Sequence, residues 1–114
     1  MRILTKDLWE YHAQGAYVVI TTNRCLKRDG RAVMGAGVAL QAATRYPELP
    51  YQYAEFLRRE QCVEGEGVGG FAVYPGYRLI LLPTKLQWRD PSHLWLIEWG
   101  LQQLVEWQLG NPGA

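Results

Sequence analysis

The residues best suited to chemistry lie between positions 18 and 47. An apolar run, Val18-Val19-Ile20-Thr21-Thr22, gives way to Asn23 and a polar loop carrying Arg24, Lys27, Arg28 and Arg31. The loop ends in Gly35-Ala36-Gly37 and runs straight into a helical pattern at Val38. Glycine lets the backbone approach a ligand closely, and a helix start adds unpaired amides with partial positive charge. Such an arrangement suits an anion, typically a phosphate. The alternative is a plain tight turn beside a solvated basic loop.

Two nucleotide motifs are tested directly by the spacing. Gly30 and Gly35 stand at Walker distance, but Ala36-Gly37 follows where Lys and Ser/Thr are required, so a P-loop is excluded. Gly35-x-Gly37 opens like a dinucleotide fingerprint, but Leu40 takes the third glycine's place. No acid follows at the expected distance on a second strand, which excludes a Rossmann site as well.

The elements that must hold this loop follow from pattern. Residues 2–5 suit a short strand, and residues 17–21 suit a central strand covered on both faces. Residues 38–46 read as a helix stopped near Pro47, and residues 51–60 as a second helix with Tyr53, Phe56 and Leu57 on one face. Gly65, Gly67, Gly69 and Gly70 break the chain, and strands at 71–74 and 78–82 flank the turn dipeptide Pro75-Gly76 as a hairpin. Asp90-Pro91 opens a last helix that reaches about Leu109, before Gly110-Asn111-Pro112. In it Leu94, Ile97, Leu101, Leu104 and Val105 form a stripe expected to face the core. Trp95 and Trp99 lie away from that stripe and suggest a second contact, either a partner subunit or a covering segment. Strands alternating with helices give an α/β fold with a parallel or mixed sheet.

Bulk properties narrow the classes. The chain has 114 residues, 48% hydrophobic and 20% charged, as expected of one globular domain over residues 1–114. A net charge of +1 provides no global field toward nucleic acid or an anionic membrane. Cys25 and Cys62 have no CxxC partner and no histidine at ligand spacing, so no metal site is expected, and reduced thiols in a cytoplasmic protein are. The N-terminus does not read as a signal peptide, and no apolar run nears the roughly 20 residues of a membrane span. His12 and His93 carry no evident chemistry.

Taken in order, these motifs resemble those of macrodomains, the ADP-ribose-recognising α/β/α domains, over almost the whole chain. The resemblance implies a three-layer α/β/α sandwich with a mixed sheet. Asp7 matches the acid after the first strand, which would accept hydrogen bonds from the adenine amino group. Asn23 matches the asparagine near the distal ribose. The amides of Gly35, Ala36, Gly37 and Val38 would hold the diphosphate. No cofactor is implied.

Within that family the chain is most similar to the branch that removes ADP-ribose from glutamate or DNA bases with a lysine. Gly35-Ala36-Gly37-Val38-Ala39-Leu40-Gln41 and Arg45-Tyr46-Pro47 are typical of it. So are Leu82-Pro83-Thr84-Lys85, Trp88-Arg89 and Ser92. By this resemblance Lys85 is the catalytic lysine, attacking or stabilising the anomeric carbon of the distal ribose. A partly desolvated lysine at a strand end suits an amine nucleophile; the other reading is a surface lysine in a loop. Trp88 and Tyr46 would wall the pocket or, as the better expectation, belong to the core.

Macrodomains usually continue into another strand and a second glycine-rich loop, which this sequence, ending at Gly110-Asn111-Pro112-Gly113-Ala114, lacks. In the glutamate-specific hydrolases that loop brings a catalytic aspartate. A truncated variant, a fragment, or a protomer completed by a partner at Trp95 and Trp99 would each explain this. The expected function is binding of ADP-ribose or ADP-ribosylated protein or DNA, with glycohydrolase activity through Lys85. A non-catalytic binding or interaction module is the alternative. Nucleic-acid binding through the basic loop is a third reading, disfavoured by the low net charge.

Overall fold

Asp7 starts the first helix by a local device: its Oδ1 accepts a hydrogen bond from the Trp9 amide at 2.9 Å, capping α1 (Leu8–Ala13). In the computed structural model, residues 7–62, 69–86 and 91–113 are described. The expected strand at 2–5, Gly65, Gly67, Trp88, Arg89 and Asp90 lie outside them. After α1 come β1 (Val18–Asn23), α2 (Gly37–Arg45), α3 (Leu49–Arg59), β2 (Ala72–Tyr74), β3 (Leu79–Lys85) and α4 (Leu94–Gly110).

The described strands form a mixed sheet in the order β1-β3-β2, with β1 parallel and β2 antiparallel to β3. Among the described strands β3 is the middle one. The hairpin expected at Pro75-Gly76 is present, closed by Arg78 N donating to Pro75 O at 3.1 Å. Pro83 sits inside β3 without cost to the β2 ladder, which ends at the Ala72–Leu81 pair.

Side chains alternate across β3 and bury on both faces. Leu79 and Leu81 join Ile20, Ala42, Leu49, Tyr53 and Leu57 in one core beneath α2 and α3. Leu82 faces the other way, toward α4, where a Cβ on Gly100 would fall 2.9 Å from its Cγ. Helices thus cover both faces of the sheet.

Two expectations for α4 are corrected. Pro91 is not helical; the helix starts at Leu94, after the His93 amide donates to Thr84 O at 2.8 Å. The stripe Leu94, Ile97, Leu101, Leu104 and Val105 does not face the core. Leu96 and Gly100 are buried, whereas Leu94 is 69% exposed, Leu101 50% and Val105 56%. Close approach at Gly100 over Leu82 decides which face docks, and the longest aliphatic stripe is left outward.

Tyr53 ties β1, α3 and the Gly69-Gly70 segment together. Its fully buried hydroxyl donates to Gly70 O at 2.8 Å and lies 3.1 Å from Thr22 Oγ1. Burial pushes the Tyr53 phenol well above its ordinary value, and pushes the Tyr74 phenol up to about 12. The folded state then holds protons that the unfolded chain releases above about pH 10. This stabilisation is complete below pH 10 and is lost as pH rises through the folded values. The unfolding free energy from urea titrations should hold steady to about pH 9.5 and then fall, by up to about 1.4 kcal/mol per pH unit for each phenol. Tyr53→Phe should flatten that decline; an unchanged slope would contradict the assignment.

Candidate functional site

The loop between β1 and α2 folds back on itself before it reaches the glycines. Leu26 and Ala32 form an antiparallel bridge, Lys27 N donates to Arg31 O at 2.7 Å, and Gly30 turns the tip at φ 91°. Ala32 N donates to Pro50 O and Arg58 to Gly30 O, which fastens the loop to α3. Asn23 holds the loop's base. Its Oδ1 accepts from Cys25 N at 2.9 Å, and its Nδ2 donates to Val33 O at 3.3 Å.

The basic loop expected from sequence is smaller in the structure. Arg24 is fully buried beside Cys62, Tyr53 and the Gly69-Gly70 backbone, and desolvation lowers its pKa. Arg31 bonds Asp29 through Nε at 2.9 Å, with its NH2 nitrogen 2.7 Å from the same carboxylate. Lys27 and Arg28 are the remaining cations of that group, too few for a nucleic-acid face.

Beyond the loop, Ala36 is the N-cap of α2 and supplies no side-chain bond, so the first amides of the helix keep their donors free of a side-chain cap. Gly37 opens the helix at φ 58°, a conformation that glycine adopts without strain. These amides border a cleft of about 460 Å³ at the carboxyl ends of β1 and β3, also lined by Asn23, Thr84 and Lys85. Lys85 reaches it through an irregularity. Thr22 pairs with Pro83 and Asn23 with Lys85, so Thr84 is an extra residue on β3, as in a β-bulge. The bulge brings the half-buried lysine beside Asn23.

The structure therefore gathers Asn23, Gly35, Ala36, Gly37, Val38 and Lys85 around one cleft. Asp7 lies elsewhere. It borders a second hollow of about 490 Å³ with Trp9, Leu40, Gln41 and Arg45, along the outward side of α2. There Gln41 Oε1 accepts from the Trp9 indole at 2.7 Å, and the Arg45 guanidinium lies 4.2 Å from the centre of that ring. Sequence reading did not find this Trp9–Arg45 pair, since no local spacing links residues 36 apart. It also missed Thr21, Val33, Met34 and Thr84 as cleft residues, which look like ordinary strand and loop positions. Tyr46 packs against the core and stacks on Tyr77 at 4.4 Å, as expected of a structural residue.

Curated proteins share part of this sequence. Proteins named DNA ADP-ribosyl glycohydrolase from Mycobacterium tuberculosis and Mycobacterium bovis are each 38% identical to it over 78 residues. One of the same name from Thermus aquaticus is 36% identical over 80 residues. Each alignment covers 64% of this chain and 21% of the relative, so the similarity spans about a fifth of each relative's length. No family model matches the chain. No solved structure matches it either.

Proposed function

We propose that this chain is a macrodomain-like domain, a three-layer α/β/α sandwich, that binds ADP-ribose and removes it from a modified macromolecule, DNA foremost. The observation that carries the reading is the cleft in which the α2 amides and Lys85 border the same space. The uncapped helix start supplies donors and a positive dipole end for a diphosphate. The distal ribose would then lie toward Asn23 and Lys85, with the adenine along α2 toward Asp7 and the Trp9–Arg45 pair. Lys85, as an amine at the bulged strand end, would attack or stabilise the anomeric carbon as its bond to the modified base breaks; the base would leave with a proton, and water would then release ADP-ribose and free the amine. The similarity to proteins named DNA ADP-ribosyl glycohydrolase supports the same substrate class. A cytoplasmic setting and self-association through Trp95 and Trp99 belong to this reading; Trp95 is 41% exposed and Trp99 half-buried.

Calorimetric titration of ADP-ribose into the protein and into Gly35→Glu tests the site. A Cβ at Gly35 meets no atom within 4 Å and its φ is ordinary, so the variant should fold while placing a carboxylate in the cleft. Saturable binding by the unaltered chain, weakened at least about tenfold in Gly35→Glu by charge repulsion and occlusion, is the expected result. Gly37→Glu is a poorer probe because its positive φ adds backbone strain. No heat at millimolar ADP-ribose would overturn the reading.

A further inference from the structure

We propose that Asn23 is a positioning residue: its carboxamide bridges the base of the loop over residues 25–33 and thereby sets where the Gly35, Ala36 and Gly37 amides stand. The inference rests on the reading above and gives Asn23 a task in the diphosphate half of that site, not as a ligand of the ribose.

The loop is a small hairpin. Lys27 N donates to Arg31 O at 2.7 Å and Val33 N to Cys25 O at 3.0 Å, on either side of the Leu26–Ala32 bridge. Cys25 and Val33 thus occupy a hydrogen-bonded position, where two opposed residues ordinarily exchange both N–H···O bonds. In one direction the bond is direct. In the other, Cys25 N donates to Asn23 Oδ1 at 2.9 Å, and Asn23 Nδ2 donates to Val33 O at 3.3 Å. A carboxamide offers the same donor and acceptor as a peptide unit, so it serves as an inserted link in the ladder. Its partners fix its orientation, because Cys25 presents a donor and Val33 an acceptor.

This link spaces the two arms of the hairpin at their base. One arm returns to β1, and the other reaches Gly35 two residues after Val33. Farther out the loop is held by other means, through Ala32 N to Pro50 O at 2.9 Å and Arg58 to Gly30 O at 2.6 Å. The base is the part that borders the cleft, which Asn23 and Val33 both line. The backbone of Asn23 is also registered against Lys85. One residue therefore relates the lysine strand to the amides at the start of α2. Without the carboxamide the base loses a spacer one amide wide, and Val33 and the glycines after it shift together. Asn23 acts on a ligand through the loop it holds.

Titration of ADP and of ADP-ribose into the parent chain and into Asn23→Ala tests this. ADP carries the diphosphate and lacks the distal ribose. The expected result is a loss of about tenfold for both ligands alike, with unchanged far-ultraviolet circular dichroism. A loss confined to ADP-ribose would make Asn23 a ribose ligand and overturn the proposal, as would no loss for either. Two measurements on the ligand-free protein separate this result from the reading above. By nuclear magnetic resonance, Asn23→Ala should displace the Gly35, Ala36 and Gly37 amide signals. In the parent chain, the Asn23 Nδ2 protons should exchange with solvent at least about tenfold more slowly than those of exposed Gln52. Unmoved signals at residues 35–37, or equal exchange, would overturn the proposal even where both nucleotides bind. If neither nucleotide binds the parent, the reading above fails, and these two measurements decide the role of Asn23. The exchange measurement needs no variant, so it decides even where Asn23→Ala does not fold.

Discussion

Lys85→Ala should release ADP-ribose from modified DNA at least about a hundredfold more slowly than the unaltered chain, the scale on which single proton-transfer or nucleophilic groups act. Affinity for free ADP-ribose should change only a few-fold, because in the proposed reading the α2 amides, not Lys85, would hold the diphosphate. Lys85→Arg separates two roles for the side chain. It keeps a cation but not a usable amine nucleophile, since guanidinium does not deprotonate in proteins. If arginine restores release, the group acts by charge alone. If Lys85→Ala is as active as the parent in single-turnover assays, the lysine assignment is wrong.

Gly70→Val should cost about 4 kcal/mol, out of the roughly 5–15 kcal/mol that holds a domain of this size folded. Two effects combine. Gly70 has φ 95°, and its Cβ would meet Pro83 Cγ at 3.0 Å, Arg24 Cδ at 3.3 Å and Leu57 Cδ2 at 3.3 Å. Its carbonyl also accepts the Tyr53 hydroxyl, so a shift of this segment strands a buried phenol. Gly15→Val supplies the comparison. At φ 97° it has similar backbone strain but meets nothing within 4 Å, so it should cost about 1–2 kcal/mol. Urea unfolding gives both numbers, and equal losses at the two positions would show that the packing around Gly70 contributes little.

What the sequence reveals depends on whether a signal is local. Pro75-Gly76 gives the hairpin, Pro47 ends α2, and Gly35-Ala36-Gly37 marks the helix start at the cleft, because each acts through its own backbone. Two readings fail where the answer lies across the fold. Arg24 looks like part of a solvated basic loop, but Gly69 and Gly70 let it bury against α3. The outward stripe on α4 looks like a core face, because nothing local to the helix shows that Gly100 must sit on Leu82. Asp7 stands between these cases: its capping role is local, but its separation from the cleft depends on where α1 meets α2.

The extra residue in β3 also has a mechanical meaning. The Thr84 carbonyl accepts from the His93 amide just before α4, while the Lys85 carbonyl accepts from Arg24 N, one residue past β1. One peptide unit thus joins the anchorage of a long surface helix to the backbone of Lys85. In the proposed reading, a load on α4 would reach Lys85 through one backbone hydrogen bond and one peptide unit.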